Sequence, residues 1–255
     1  MLWLIFRMDA ASVKFDRSAA LIKYFSCLNS IFEINEIIHV IENSDRCHRK
    51  KEFRRLIFDV QFCGNKNTKI MEILQTPENA LSQSEVKAII NAPIEKVNIA
   101  DWLLNLPDAE YQRCSTKHIG AAISSTFDGQ PVSLNVETIG DALMVQHYVA
   151  LVHQPDYCRM LSISDAITST GRTKVQVLWE LRAKKIDDHT CEYINTIHAT
   201  ATPEFFEFIN EHQVSLEKAH AARQLASDEH NREETPLFAK SIENKALTGK
   251  YNQPF

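Results

Sequence analysis

The chain has 255 residues, a formal net charge of -5, 44% hydrophobic and 24% charged residues. This composition supports a folded core and excludes wholesale disorder, and the negative balance excludes a general nucleic-acid binder. The averages hide a division: residues 1–70 carry 12 basic and 8 acidic side chains, the remainder 16 and 25, and all eight prolines lie at Pro77 or later.

The first residues, Met1 to Phe6, are apolar but meet Arg7 and Asp9 at once, unlike a secretory signal. Residues 12–42 have helical spacing at Leu21, Phe25, Leu28 and Phe32. Lys23, Glu33, Glu36 and His39 interrupt that stretch and argue against a membrane span. The run Arg46 to Arg55 holds six basic side chains. An anionic surface would suit it, but without a nucleic-acid fold around it the run reads as a solvated face. Two readings of residues 1–70 stay open: a helical N-terminal extension, or a spurious stretch upstream of a natural start at Met71. Six scattered cysteines form no CxxC pair, so the expectation is reduced thiols in a cytoplasmic protein.

From residue 81 to 225 the pattern predicts one domain. Glu85 to Asn91 reads as a strand, Pro93 to Asn105 as a helix, and Pro107 to Arg113 as a second short helix. Six strands follow: 117–127, 131–139, 142–153, 157–167, 173–184 and 190–199. Turns such as Asp128-Gly129 and Gly140-Asp141 separate them, and the short spacing predicts an antiparallel meander. Thr202-Pro203-Glu204 then starts a long helix, with Phe205, Phe208, Ile209 and His212 on one face, expected to end near Leu225. Residues 226–255 are polar and read as a flexible tail.

The stretch Val86 to Val97, with its Ala92-Pro93 step, and the following Trp102-Leu103 and Leu106-Pro107-Asp108 resemble the opening of the START-like superfamily, also called SRPBCC. That group includes polyketide cyclases and birch-pollen-allergen-like proteins, and the likeness here is to an uncharacterised bacterial branch of it. The resemblance covers about residues 84–225. It implies an α+β helix-grip fold: a seven-stranded curved antiparallel sheet wrapping a long C-terminal helix, in the order β-α-α-β6-α. It also implies a cavity between sheet and helix that takes an apolar or aromatic small molecule, lipid-like or polyketide-like.

For that cavity the expected ligand-binding residues are Trp179, Tyr193, Asn195, Phe205, Phe208, Ile209 and His212. The alternative is that they simply fill a core. A cyclase, dehydratase or aromatase on the same fold is a second reading, with His147 as its candidate acid/base. His147 shares strand parity with Leu143, Val145 and Val149, which suggests the buried face. Glu137, Glu180 and Glu192 are expected outside, paired across strands. A third reading is a non-catalytic interaction or dimerisation module, a homodimer formed through Met144, Tyr148 and Val152. No metal is expected, because His147 and His153 are too far apart along one strand and no converging set stands out. Cys114 and His118 make only a weak dyad. No cofactor motif occurs.

Overall fold

A computed structural model describes residues 76–251. The N-terminal extension, the basic run Arg46 to Arg55 and the alternative start at Met71 lie outside the described residues.

Strand β1 (Ala80–Ile90) opens the domain. A 3-10 turn (Ile94–Lys96) and two short helices follow, α1 (Ile99–Leu103) and α2 (Asp108–Arg113). Asn98 caps α1, accepting from the Asp101 amide at 2.9 Å. Six strands form the meander: β2 (His118–Ser125), β3 (Pro131–Ile139), β4 (Ala142–Gln154), β5 (Tyr157–Thr168), β6 (Gly171–Lys185) and β7 (Cys191–Ala201). Short turns force each strand beside its predecessor, and β1 closes onto the last, so the sheet order is β1-β7-β6-β5-β4-β3-β2. All six ladders are antiparallel. Gly140 turns β3 into β4 at φ 61°, and a Cβ there would come within 3.2 Å of the Ala226 side chain. Only glycine meets both demands cheaply.

Two helices end the domain, α3 (Pro203–Glu211) and α4 (Leu216–Thr248). Thr202 caps α3 at the Phe205 amide (3.2 Å) and Ser215 caps α4 at the Lys218 amide (3.2 Å). Gly249, at φ 73°, ends α4 in a left-handed turn.

This corrects two expectations. The helix expected over 203–225 is broken at His212 to Ser215. The expected flexible tail instead supplies most of α4, which runs through residue 248. The reason is chemical. The buried positions of α4 include Ser227, His230, Asn231, Glu234, Thr235, Phe238 and Ile242, spaced by three and four. The burial is periodic but the hydrophobicity is not, so the usual amphipathic signal is missing. Pro236 adds a false stop. It sits inside α4 on an exposed position, where packing overrides its cost of one backbone hydrogen bond.

α4 lies along one face of the sheet. Ser227 meets Ser82 at 2.9 Å, Asn231 donates to Ser84 at 3.1 Å, and Phe238 packs edge-on to Trp102 at 5.2 Å between ring centroids. Trp102, Tyr111, Tyr193 and Phe238 are the largest fully buried side chains.

The parity of β4 is the reverse of that expected. Tyr148 contacts Trp179 at 5.1 Å, and Trp179 contacts Phe238 of α4 at 6.0 Å, so Met144, Gln146, Tyr148 and Ala150 face the helix. His147 alternates to the opposite face with Val145 and Val149. Both faces of β4 carry apolar residues, so alternation could not choose between them. Met144 and Tyr148 are therefore core residues and do not supply the outer surface on which a homodimer was expected. Among the described residues no helix is long and apolar enough to cross a membrane.

Candidate functional site

The register of the β2–β3 hairpin sets His118 opposite Glu137. On α4, His230 and Glu234 are one turn apart and share a face. Packing α4 on the sheet brings the two pairs together. His118 Nε2 lies 3.2 Å from Glu234 and 3.3 Å from Glu137, and His230 Nε2 lies 3.1 Å from Glu137 and 3.3 Å from Glu234. All four side chains are buried.

Buried charges must be paired or they neutralise. Here burial alone would favour neutral forms, and the mutual pairing outweighs it. Hydrogen bonds to Glu137 and Glu234 raise His118 to about 9, against the pull of burial. The charges of Glu234 and Glu137 raise His230 to about 11, again against burial. Both carboxyls are held below the usual carboxylate range despite burial, chiefly by the charge of His230.

A second layer of side chains fixes the four. Tyr111 stacks flat on His118, with ring centroids 3.8 Å apart, and donates its hydroxyl to Glu137 at 2.7 Å. His118 Nδ1 meets the Tyr111 carbonyl at 2.7 Å, so this nitrogen carries a proton. Asn195 donates to Glu234 at 3.0 Å and to Thr235 at 3.1 Å, and accepts from the Trp179 indole at 2.7 Å.

Beside this quartet, the helix-facing side of β3, β4 and β5 is polar. Ser133, Asn135, Gln146, Ser162 and Ser164 are all buried there. Gln146 donates to the Tyr148 hydroxyl at 3.0 Å, and its own carbonyl oxygen is buried without a partner among the described residues. Arg223 of α4 reaches over β4. Its one hydrogen-bond contact among the described residues is the Met144 sulfur, at 3.6 Å, and its buried Nε has no partner. Burial pushes this guanidinium below its ordinary value.

The expected site residues divide. Trp179, Tyr193 and Asn195 all face α4 and are buried. The Tyr193 hydroxyl has no hydrogen-bond partner among the described residues. Phe205, Phe208, Ile209 and His212 belong to α3 and its end, which packs against the start of β6. Phe208 approaches Gly171, and His212 Nε2 faces the Thr170 carbonyl at 3.2 Å. Gly171 is eight residues along β6 from Trp179, about 26 Å at the usual rise. The two groups do not form one site, because the helix that was to lay the second group over the first is broken and its opening part packs at the start of β6.

His147 is the second correction. It is buried on the face away from α4, and burial lowers its affinity for a proton. Glu137 is the third: it was expected outside but points inward with Ser133 and Asn135, where His118 of β2 and His230 of α4 compensate its charge. Glu180 and Glu192 do lie outward, near Arg159 (3.8 Å) and Lys87 (3.4 Å). Cys114 donates to the Glu110 carbonyl at 3.3 Å and makes no dyad with His118, and burial pushes its thiol up. The expectation that no metal-ligating set converges is corrected too. His118, Glu137, His230 and Glu234 offer four ligand atoms within 4.8 Å of one another. The available signal was the His230-x3-Glu234 spacing, hidden in a segment read as a tail.

No protein-family model matches the chain, and no curated protein does. Among solved structures, the Zhui aromatase/cyclase from Streptomyces sp. R1128 is similar at 10% identity, TM-score 0.49, over 67% of this chain and 98% of that one. A START superfamily protein from Mycobacterium smegmatis is similar at 13% identity, TM-score 0.38, over 66% and 99%. Norcoclaurine synthase from Thalictrum flavum is similar at 12% identity, TM-score 0.38, over 72% and 99%. With one strand, two short helices, a six-strand meander and a long helix laid along the resulting seven-stranded sheet, the described residues form a helix-grip fold.

Proposed function

We propose that the domain binds a small organic molecule between the polar stretch of β3–β5 and the first half of α4. The ligand has an aromatic or apolar body and an oxygen that accepts from Arg223. The observation that carries this reading is the part-buried Arg223 guanidinium, whose Nε is enclosed and whose hydrogen-bond contact is a methionine sulfur, with no carboxylate ion pair among the described residues. A cation drawn partly out of water without an ion pair is costly, and a ligand carbonyl or carboxylate would offset that cost. The unpartnered carbonyl of Gln146 would accept from a hydroxyl on the same ligand. Tyr148 and Trp179 supply an aromatic wall.

The test uses 1-anilinonaphthalene-8-sulfonate, an aromatic anion, as probe. The full chain binds it saturably, and Arg223→Met weakens binding about tenfold or more, the loss of one charged hydrogen bond, at an unchanged unfolding midpoint. Equal affinity in the variant would remove Arg223 from the site and this reading with it.

A second reading is an enzyme of the cyclase or dehydratase type on the same fold. The Tyr111–Glu137–His230 group supports it, since donor and acceptor stand within hydrogen-bond reach of each other. Turnover of a compound co-purified from the host, lost in Glu137→Gln with the ligand still bound, would favour this reading. A bound compound recovered unchanged would favour simple binding.

A further inference from the structure

The quartet invites a closer look at its distances. Each histidine Nε2 stands almost equally far from two carboxylates, and the four separations fall between 3.1 and 3.3 Å. One N–H points at one acceptor. Charge-assisted N–H···O bonds contract to about 2.7–2.9 Å. A proton-bridged cluster would therefore pair off, with each histidine close to one carboxylate and farther from the other. Here each histidine does bond one carboxylate, His118 with Glu234 at 3.2 Å and His230 with Glu137 at 3.1 Å, but neither bond is contracted and the second carboxylate stands only slightly farther, at 3.3 Å in each case.

The spacing does match another arrangement. Nitrogen and oxygen ligands sit about 2.0–2.1 Å from a tetrahedral zinc, which places neighbouring ligand atoms about 3.3–3.4 Å apart. Four of the six separations, those between a histidine and a carboxylate, are near that value, and the remaining two are no more than 4.8 Å.

The supporting side chains agree. His118 Nδ1 is committed to the Tyr111 carbonyl at 2.7 Å, so in the neutral ring the Nε2 lone pair is directed at the centre. Asn195 holds Glu234 by Oε1 at 3.0 Å, leaving Oε2 as the atom that faces the histidines. Tyr111 donates at 2.7 Å to Glu137 Oε2, the same oxygen that faces the histidines, and so fixes that atom in place through its other lone pair. Charge also closes, since two carboxylates and two neutral imidazoles balance a divalent ion. Imidazole with carboxylate is a donor set that zinc and its first-row neighbours accept.

We infer that His118, Glu137, His230 and Glu234 form a binding site for a divalent transition ion of the zinc type. The ion would tie the β2–β3 hairpin to α4. All four ligands come from the protein and are buried, so the ion enters as the chain folds and acts first as a structural clamp. The inference is independent of the ligand proposed at Arg223.

The full chain is unfolded with chelator and refolded with EDTA, with zinc, or with cobalt(II). After desalting, the zinc-refolded protein retains one ion per chain by elemental analysis and melts at a higher temperature than the EDTA-refolded protein. The cobalt form shows the strong visible absorption of a four-coordinate site. His230→Gln and Glu234→Gln each weaken retention by about a hundredfold or more, whereas Arg223→Met keeps the ion. Wild-type protein that keeps no ion and melts identically with and without zinc would overturn the inference, and so would full retention in both variants, which would mark surface binding. If the variants fail to fold, the wild-type stoichiometry and cobalt spectrum decide alone. A weak six-coordinate spectrum counts against the site.

Discussion

At the scale of single residues, the interior of this domain rests on polar hubs as much as on apolar packing. Asn195 is the clearest. It is fully buried and satisfies the Trp179 indole, Glu234 and Thr235 at once. Asn195→Leu would strand the Trp179 indole and the Oε1 atom of Glu234, whereas Thr235 keeps its bond to Asn231 at 2.7 Å. A buried polar group left unpaired costs about 1–3 kcal/mol. Allowing for partial relaxation, the variant should lose about 3 kcal/mol, read as a lower urea midpoint at unchanged slope. A loss below about 1 kcal/mol would mean that the partners find replacements. Tyr193 predicts the opposite sign. Its hydroxyl is buried without a partner, so Tyr193→Phe should be neutral or stabilising by up to about 1 kcal/mol. If stability holds and probe binding falls, the hydroxyl belongs to the ligand site. If stability falls clearly, the hydroxyl has a partner that the static structure misses.

At the scale of elements, α4 is tied to the far end of β1 by Glu243. Its carboxylate accepts from the Asn91 amide at 2.9 Å and the Asn91 side chain at 2.8 Å, and pairs with Lys240 at 2.9 Å. Burial alone would raise the Glu243 carboxyl, but Lys240 and the two Asn91 donors lower it below its usual 4.5. A carboxyl lowered by folding contributes stability above its unfolded value and loses it as pH falls through the folded one. Glu243→Gln should therefore be less stable than the parent at pH 7, and the gap should close below pH 4.5. A gap that persists unchanged at low pH would show that packing, not charge, makes the tie.

The elements also show what the sequence could reveal. The meander was legible because turns such as Gly140-Asp141 punctuate it and Val175, Val177, Trp179 and Leu181 alternate cleanly on β6. α4 was not legible, because Ser227, His230, Asn231 and Glu234 hold positions where a core helix ordinarily shows leucines. The quartet was lost with it. His118 and Glu137 are ordinary strand residues until a helix brings His230 and Glu234 within 3.3 Å of them, and that contact spans 93 positions between Glu137 and His230. Local pattern carries no information about such a meeting.

At the scale of the molecule, α4 ties both edges of the sheet into one unit. It reaches β1 through Ser84–Asn231 and Asn91–Glu243. It reaches the opposite edge through His118–Glu234, and through Glu233, which accepts from the Thr116 amide at 2.8 Å. Neither edge can complete its core without it. A chain ending at Leu225 would keep every strand but lose the buried Phe238, Ala239 and Ile242, the quartet's helix half and both edge ties. Burying each large apolar side chain contributes about 1.5–3 kcal/mol, and a whole domain is stable by only about 5–15 kcal/mol. The truncated chain should therefore lose its near-ultraviolet circular dichroism and its cooperative urea transition while retaining strand signal in the far ultraviolet, as a compact state without fixed packing. A truncated chain that still unfolds in one sharp step near the parent's midpoint would mean that the sheet and α3 make a core of their own, with α4 as an addition. The first strand and the last helix are in contact across nearly the whole described sequence. On the present geometry, then, folding is completed only when the final helix is in place, and any ion or ligand held beneath α4 is enclosed by that same last step.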